Sequence, residues 1–187
     1  LVEDLLQTII EENPDKLDYR VSLATFLSGI DQKDKAEQVL RDAITADPED
    51  AQRYLMLVQF FVDQKDPETA IRILKGFIQE RPDMTELQFG LAKLYIADGK
   101  KEEAKQVLEK IINEQGVEPP GLNARNMLAK ILVVEDPESK RVVALTEEIL
   151  KENPRDNDAL ILKGRLAARA GDYTTAINSF RTVLKDQ

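Results

Sequence analysis

By type and spacing, the residues of this chain best suited to chemistry are the paired carboxylates Glu102-Glu103 and Glu147-Glu148. Two neighbouring carboxyl groups can share acid and base work when their surroundings separate their protonation. Adjacent residues on a helix, however, point about 100° apart, and both pairs fall where a helix meets water. They read as a solvated face. Asp63, Asp66 and Asp98 lie in turn-forming stretches and suit helix capping better than metal binding. Lys100-Lys101 followed by Glu102-Glu103 is an ordinary helix start, where acids suit the dipole. Gly164 has no glycine cluster around it and falls mid-helix, so it is no phosphate loop. The chain has no Cys and no His, which removes thiolate nucleophiles, imidazole bases, the usual zinc sites and disulfides together. The reading is a non-enzyme, with no catalytic residue, no cofactor and no metal site assigned.

Composition narrows the alternatives. The chain has 187 residues, 42% hydrophobic and 33% charged, enough for a real core in one compact domain or one short array. Aromatic residues are few, with no Trp, six Phe and four Tyr, so close helix packing must fill the interior. The net charge of −9 argues against nucleic acid, because phosphate binding needs a basic stripe. No run of about 18 apolar residues is present, so no membrane span is expected. Absence of Cys fits a reducing cytoplasm or a bacterial periplasm or envelope equally, and the compartment stays open. The chain starts at Leu1, inside an apparent helix, and reads as an excerpt of something longer.

The elements that must position any site repeat. Pro14, Pro48 and Pro82 are 34 residues apart, and Pro120 and Pro154 are 34 apart again. A fixed period of a few tens of residues is the sign of a stacked array. The fullest copy runs from Pro154 to Gln187. In it, apolar and small residues recur at three- and four-residue steps on each side of Gly171-Asp172. Gly171 can end one helix in a left-handed conformation, and Asp172 can cap the next. Residues 1–13, with Leu5, Leu6, Ile9 and Ile10, form the second helix of an incomplete repeat. Full units follow at 17–48, 51–82, 85–116, 122–154 and 157–187. Their inner faces carry Leu23, Ala24 and Leu27 with Ala36, Leu40 and Ala43 in the first; Tyr54, Leu57 and Phe61 with Ala70, Leu74 and Phe77 in the second. Leu91, Ala92 and Tyr95 with Ala104, Leu108 and Ile111 line the third; Leu128, Ala129 and Leu132 with Val142, Val143, Leu145 and Ile149 line the fourth. Tyr and Phe are expected in the core, Phe89 excepted. Residues 113–121 are expected to form a longer connection held out by Pro119, Pro120 and Gly121. Ala70 and Ala176, at close-approach positions, should not tolerate leucine, whereas Ala159 should.

The chain resembles the tetratricopeptide repeat (TPR) family. Leu160, Gly164, Gly171-Asp172-Tyr173, Ala176, Phe180 and Leu184 match its pattern best, and Leu91-Ala92, Tyr95, Gly99, Ala104 and Leu108 match it well. The resemblance implies an all-α, right-handed superhelical solenoid of antiparallel helix pairs, one array of about five repeats after a leading half-repeat. It also implies a concave groove lined by the first helix of each pair. Partner contacts in the family come from fixed positions of that helix. The fifth position holds Val21, Leu55, Phe89, Asn126 and Ile161; the ninth holds Thr25, Gln59, Lys93, Lys130 and Arg165. The candidate groove residues are therefore Leu55, Gln59, Phe89, Lys93, Asn126, Lys130, Ile161 and Arg165. The alternative at these positions is ordinary surface, with Glu86, for instance, pairing with Lys93. The family's carboxylate clamp for chaperone C-termini is not reproduced, since Val21, Thr25, Leu55 and Gln59 stand in its place.

The function this implies is a protein-interaction scaffold binding a protein or peptide segment. Its look is similar to bacterial TPR proteins, including those of export and envelope assemblies. The competing reading is a structural spacer or self-assembling segment with no groove ligand, joined end to end through Leu5 and Ile9 at one face and Phe180, Val183 and Leu184 at the other.

Overall fold

The computed structural model describes residues 2–64, 66–137 and 139–185; the expected limits at residues 1 and 187 lie outside the described residues. Among the described residues there are eleven α-helices and no strand. They are α1 Val2–Glu12, α2 Leu17–Gly29, α3 Lys33–Ala46, α4 Ala51–Asp63, α5 Pro67–Glu80, α6 Thr85–Ala97, α7 Lys101–Gln115, α8 Pro119–Glu135, α9 Lys140–Glu152, α10 Asn157–Arg169 and α11 Tyr173–Lys185. Within each unit, connections this short make successive helices antiparallel neighbours. The chain divides into two compact units, Leu1–Leu94 and Tyr95–Gln187, the boundary falling inside α6. The sequence reads as one array; compactness is nevertheless local, because a repeat packs only on its neighbours.

Turn chemistry explains the helix ends. Asp50, Asp66, Asp156 and Asp172 each accept a backbone N–H of the following first turn, from Gln52 at 2.9 Å, Thr69 at 3.0 Å, Ala159 at 2.9 Å and Thr175 at 3.0 Å. The Thr69 hydroxyl, then its N–H, holds the Asp66 carboxyl below its ordinary range, and Thr175 does the same for Asp172. Of the three turn aspartates expected to cap, only Asp66 does so. Asp63 ends α4 and accepts from Gln59, and Asp98 pairs with Lys100 at 2.6 Å. Gly99 and Gly171 adopt φ of +75° and +81°, and Asp31 takes φ +61° at the matching turn of an earlier pair. Asp is one of the few side-chain-bearing residues that visits this region readily.

Inside unit 1, α1 to α5 pack in chain order around Ile10, Leu23, Leu27, Leu40, Leu57 and Leu74. Tyr54 meets Phe77 edge-on, centroids 4.9 Å apart, and donates its hydroxyl to Pro48 O at 3.0 Å. Inside unit 2, α7 to α11 pack likewise around Leu108, Ile111, Leu128, Val142, Leu145 and Ile149. Ala70 is completely buried and Ala176 nearly so. A Cβ on Gly164 would fall 2.6 Å from the Phe180 ring, so that glycine is where α10 and α11 meet.

Four expectations need correction. Residues 113–121 are not a held-out loop: α7 continues to Gln115, and Pro119 and Pro120 open α8 in its first turn. Proline loses nothing there, because those N–H groups have no partner within the helix. Ala159 is fully buried, not tolerant surface, since α10 packs on both α9 and α11 and so buries a wide arc. Val143 is 41% exposed, one position off the α9 face that holds Val142, Leu145 and Ile149. Tyr173 is 68% exposed, on a stripe of α11 that α10 does not cover, and Tyr19 and Phe180 are likewise exposed and not core.

Candidate interaction surface

The first helices carry the candidate residues, and each unit is described separately. In unit 1, α2 and α4 frame a cavity of about 370 Å³ lined by Val21, Thr25, Met56, Gln59, Phe60 and Asp63, among others. Gln59 donates to Asp63 Oδ1 at 2.7 Å, so its amide lies along this rim. Leu55 is half-buried and spent on packing: a Cβ on Gly90 of α6 would fall 2.6 Å from its Cδ2. Phe89 is half-buried and Lys93 exposed; Lys93 and Glu86 form no ion pair among the described residues.

In unit 2, the end of α6, the start of α7 and one face of α8 frame a second cavity of about 330 Å³. Its walls are Ile96, Met127, Ile131 and Val134, with Lys101 and Lys130 at its edge. The two cavities use the same register positions: Met56, Gln59, Phe60 and Asp63 of α4 correspond to Met127, Lys130, Ile131 and Val134 of α8. Lys130 pairs with Asp158 at 2.7 Å, both side chains more than half exposed. Asn126 is nearly buried and donates to both Asp156 oxygens at 3.1 and 3.2 Å, which ties α8 to the cap of α10. Ile161 is half-buried, and Arg165 is exposed with no ion pair among the described residues. Gln59 and Lys130 are thus the candidates that line cavities; Leu55 and Asn126 serve packing and helix docking.

Sequence reasoning missed two buried arginines near the starts of first helices. Arg53, 3% exposed, donates to Ala43 O at 2.9 Å and Asp15 O at 3.2 Å and pairs with Asp50 at 3.3 Å. Arg125 donates to Gly116 O and Gly121 O and pairs with Glu148 at 2.8 Å. The Asp50–Arg53 spacing was the available signal for the first.

The carboxylate pairs are engaged structurally: Glu102 meets Lys105 at 2.7 Å, and Glu148 meets Arg125. Among the described residues no three acidic side chains gather as a metal site would need, and no helix is long and apolar enough to cross a membrane.

Comparison with known proteins follows the same geometry. Tetratricopeptide repeat models match residues 17–50, 61–131 and 143–187. The Xenopus laevis protein called Tetratricopeptide repeat protein 21B is 23% identical over 175 residues. The match covers 91% of this chain and only 13% of that protein. Among solved structures, yeast Tom70 superposes with a TM-score of 0.73 at 16% identity, over 96% of this chain and 38% of that one. YrrB, described as a TPR protein with an unusual peptide-binding site, gives a TM-score of 0.55 at 17% identity, over 97% and 92%. Identities this low establish the fold alone. That fold is an all-α array of antiparallel helix pairs, of a kind that generally serves as an interaction scaffold and not as a catalyst. With repeat models matched along most of its length and the helix pairs to go with them, the chain belongs to the tetratricopeptide repeat family.

Proposed function

We propose that this scaffold holds a partner's extended segment along its first helices, within a bacterial export or envelope assembly. The carrying observation is the recurrence of a cavity at one register position in both units, beside Met56 and Gln59 in one and Met127 and Lys130 in the other. A depression beside a first helix gives an extended segment a place to seat a side chain. YrrB's described peptide-binding site supports the reading by analogy of fold. The bacterial setting rests on a general look shared with bacterial TPR proteins, including the Glu-Asn-Pro turns.

Reversal of two exposed cations tests it. Lys130→Glu with Arg165→Glu should abolish capture of the partner in a pull-down from the source cells, while helicity and Tm stay close to those of the parent. Exposed contacts contribute only about 0.2–1 kcal/mol each to stability, so the fold should not notice. Capture of the same proteins by both baits would refute groove binding.

One observation favours a second reading, self-association through the outer helices. Tyr173, Ile177, Phe180 and Leu184 form an exposed stripe on α11, with Leu184 at 70%, and Val2 and Leu5 are exposed on α1. At the register of Phe180 the earlier second helices carry Leu74 and Leu108, both fully buried. Sedimentation velocity at rising concentration should show dimers or larger species, and Ile177→Glu with Leu184→Glu should return a monomer. A parent protein that stays monomeric throughout removes this reading.

A further inference from the structure

The two cavities share a frame and differ in chemistry. In unit 1 the ninth and thirteenth positions of α4 are Gln59 and Asp63, and Thr25, Ser28 and Gln64 add further polar groups. In unit 2 the same positions of α8 are Lys130 and Val134, and among the described residues Lys130 and Lys101 are the only polar lining side chains. The rest of that wall is Ile96, Met127, Ile131 and Val134, of which Val134 is 74% and Ile96 38% exposed. Apolar surface left open beside charge is a feature of interaction sites. We propose that the unit 2 cavity receives an aliphatic or aromatic side chain of a partner segment whose neighbouring residue is a carboxylate held by Lys101 and Lys130. This deepens the groove reading above and rests on it.

Charge complementarity selects that occupant. In a chain of net charge −9, this cavity has two lysines and, among the described residues, no carboxylate in its lining. Lys101 makes no ion pair among the described residues. Lys130 already meets Asp158, but that pair is well exposed, and such pairs are weak enough to exchange for an incoming carboxylate. About 330 Å³ lies at the small end of ligand cavities, suited to one or two side chains. Met127, unbranched and adaptable, can fit either an aliphatic or an aromatic occupant. Among the described residues the unit 1 cavity carries Asp63 and no cation, so it does not favour the same segment.

The three methionines make the test site-resolved: Met56 lines one cavity, Met127 the other, and Met84 is buried apart from both. The full chain, labelled with 13C at the methionine methyls, is titrated with a blocked eight-residue peptide alternating leucine and aspartate. Two counterparts are run beside it, one with asparagine for aspartate and one with serine for leucine. The Met127 signal should move saturably with the first peptide while Met84 stays still. The asparagine or serine peptide should bind about tenfold more weakly, as should the parent peptide to a Lys101→Glu, Lys130→Glu variant of unchanged helicity. A still Met127 signal, or an equal response to the asparagine peptide, overturns the proposal. Movement of Met56 alone overturns it while leaving the groove reading standing. Still signals at both Met56 and Met127 with all three peptides count against both.

Discussion

Gly121→Ala is expected to destabilise the protein by about 3 kcal/mol, near the upper end for overpacked sites. A Cβ there would fall 2.2 Å from the Gly116 carbonyl oxygen and 3.0 Å from its carbon. Both obstructing atoms are backbone, so no side chain can swing aside to relieve the clash. The same two carbonyls, Gly116 O and Gly121 O, accept from the Arg125 guanidinium, and any shift that admits the methyl pulls on those bonds as well. Gly76→Ala is the matched control: it lies inside α5, and an added Cβ meets nothing within 4 Å. That substitution should stabilise by about 0.5–1 kcal/mol through helix propensity alone. Urea melts of the two variants should move in opposite directions. An unchanged midpoint for Gly121→Ala would mean that α8 does not begin where its prolines place it.

Arg53→Ala should cost a similar amount, about 3 kcal/mol, because it strips a buried guanidinium from several acceptors at once. Ala43 O lies at the end of α3 and Asp15 O in the turn before α2, so one side chain ties two turns to the start of α4. Arg53→Lys should recover less than half of the loss. An ammonium cannot reproduce the planar fork that reaches both carbonyls and Asp50 together. Thermal melts of the three proteins decide it; a lysine variant as stable as the parent would reduce Arg53 to a simple charge.

These two sites also show what a sequence conceals. The helix pairs were legible because prolines and turn residues recur in step with small residues such as Ala36, Ala70 and Ala104, each fully buried. The start of α8 was not, since a Pro-Pro-Gly run serves equally as a stiff loop or as a helix opening. What decides between them is whether Gly121 must sit against backbone, and that is a tertiary fact. Ala159 was misread for a related reason: periodicity marks one buried face, whereas a first helix packed on both sides has two. At the candidate site, register picked out Gln59 and Lys130 only as positions on first helices; the cavities beside them are visible only in the structure. Register had no means of showing that Asn126 is drawn to Asp156 or that Leu55 fills the space over Gly90. Those outcomes depend on the neighbouring helix and not on the residue's own spacing.

The side-chain ties between successive pairs span about one repeat of sequence: 38 residues from Asp15 to Arg53, 32 from Glu49 to Arg81 and 30 from Asn126 to Asp156. Loop-closure cost grows only slowly with length, and these loops are uniformly short. Short-range wiring of this kind belongs to fast-folding topologies, where few distant segments must find one another. On a ribosome, where a chain emerges at about 5–20 residues per second, each pair can therefore settle within seconds of the next being made, without waiting for the far end of the protein.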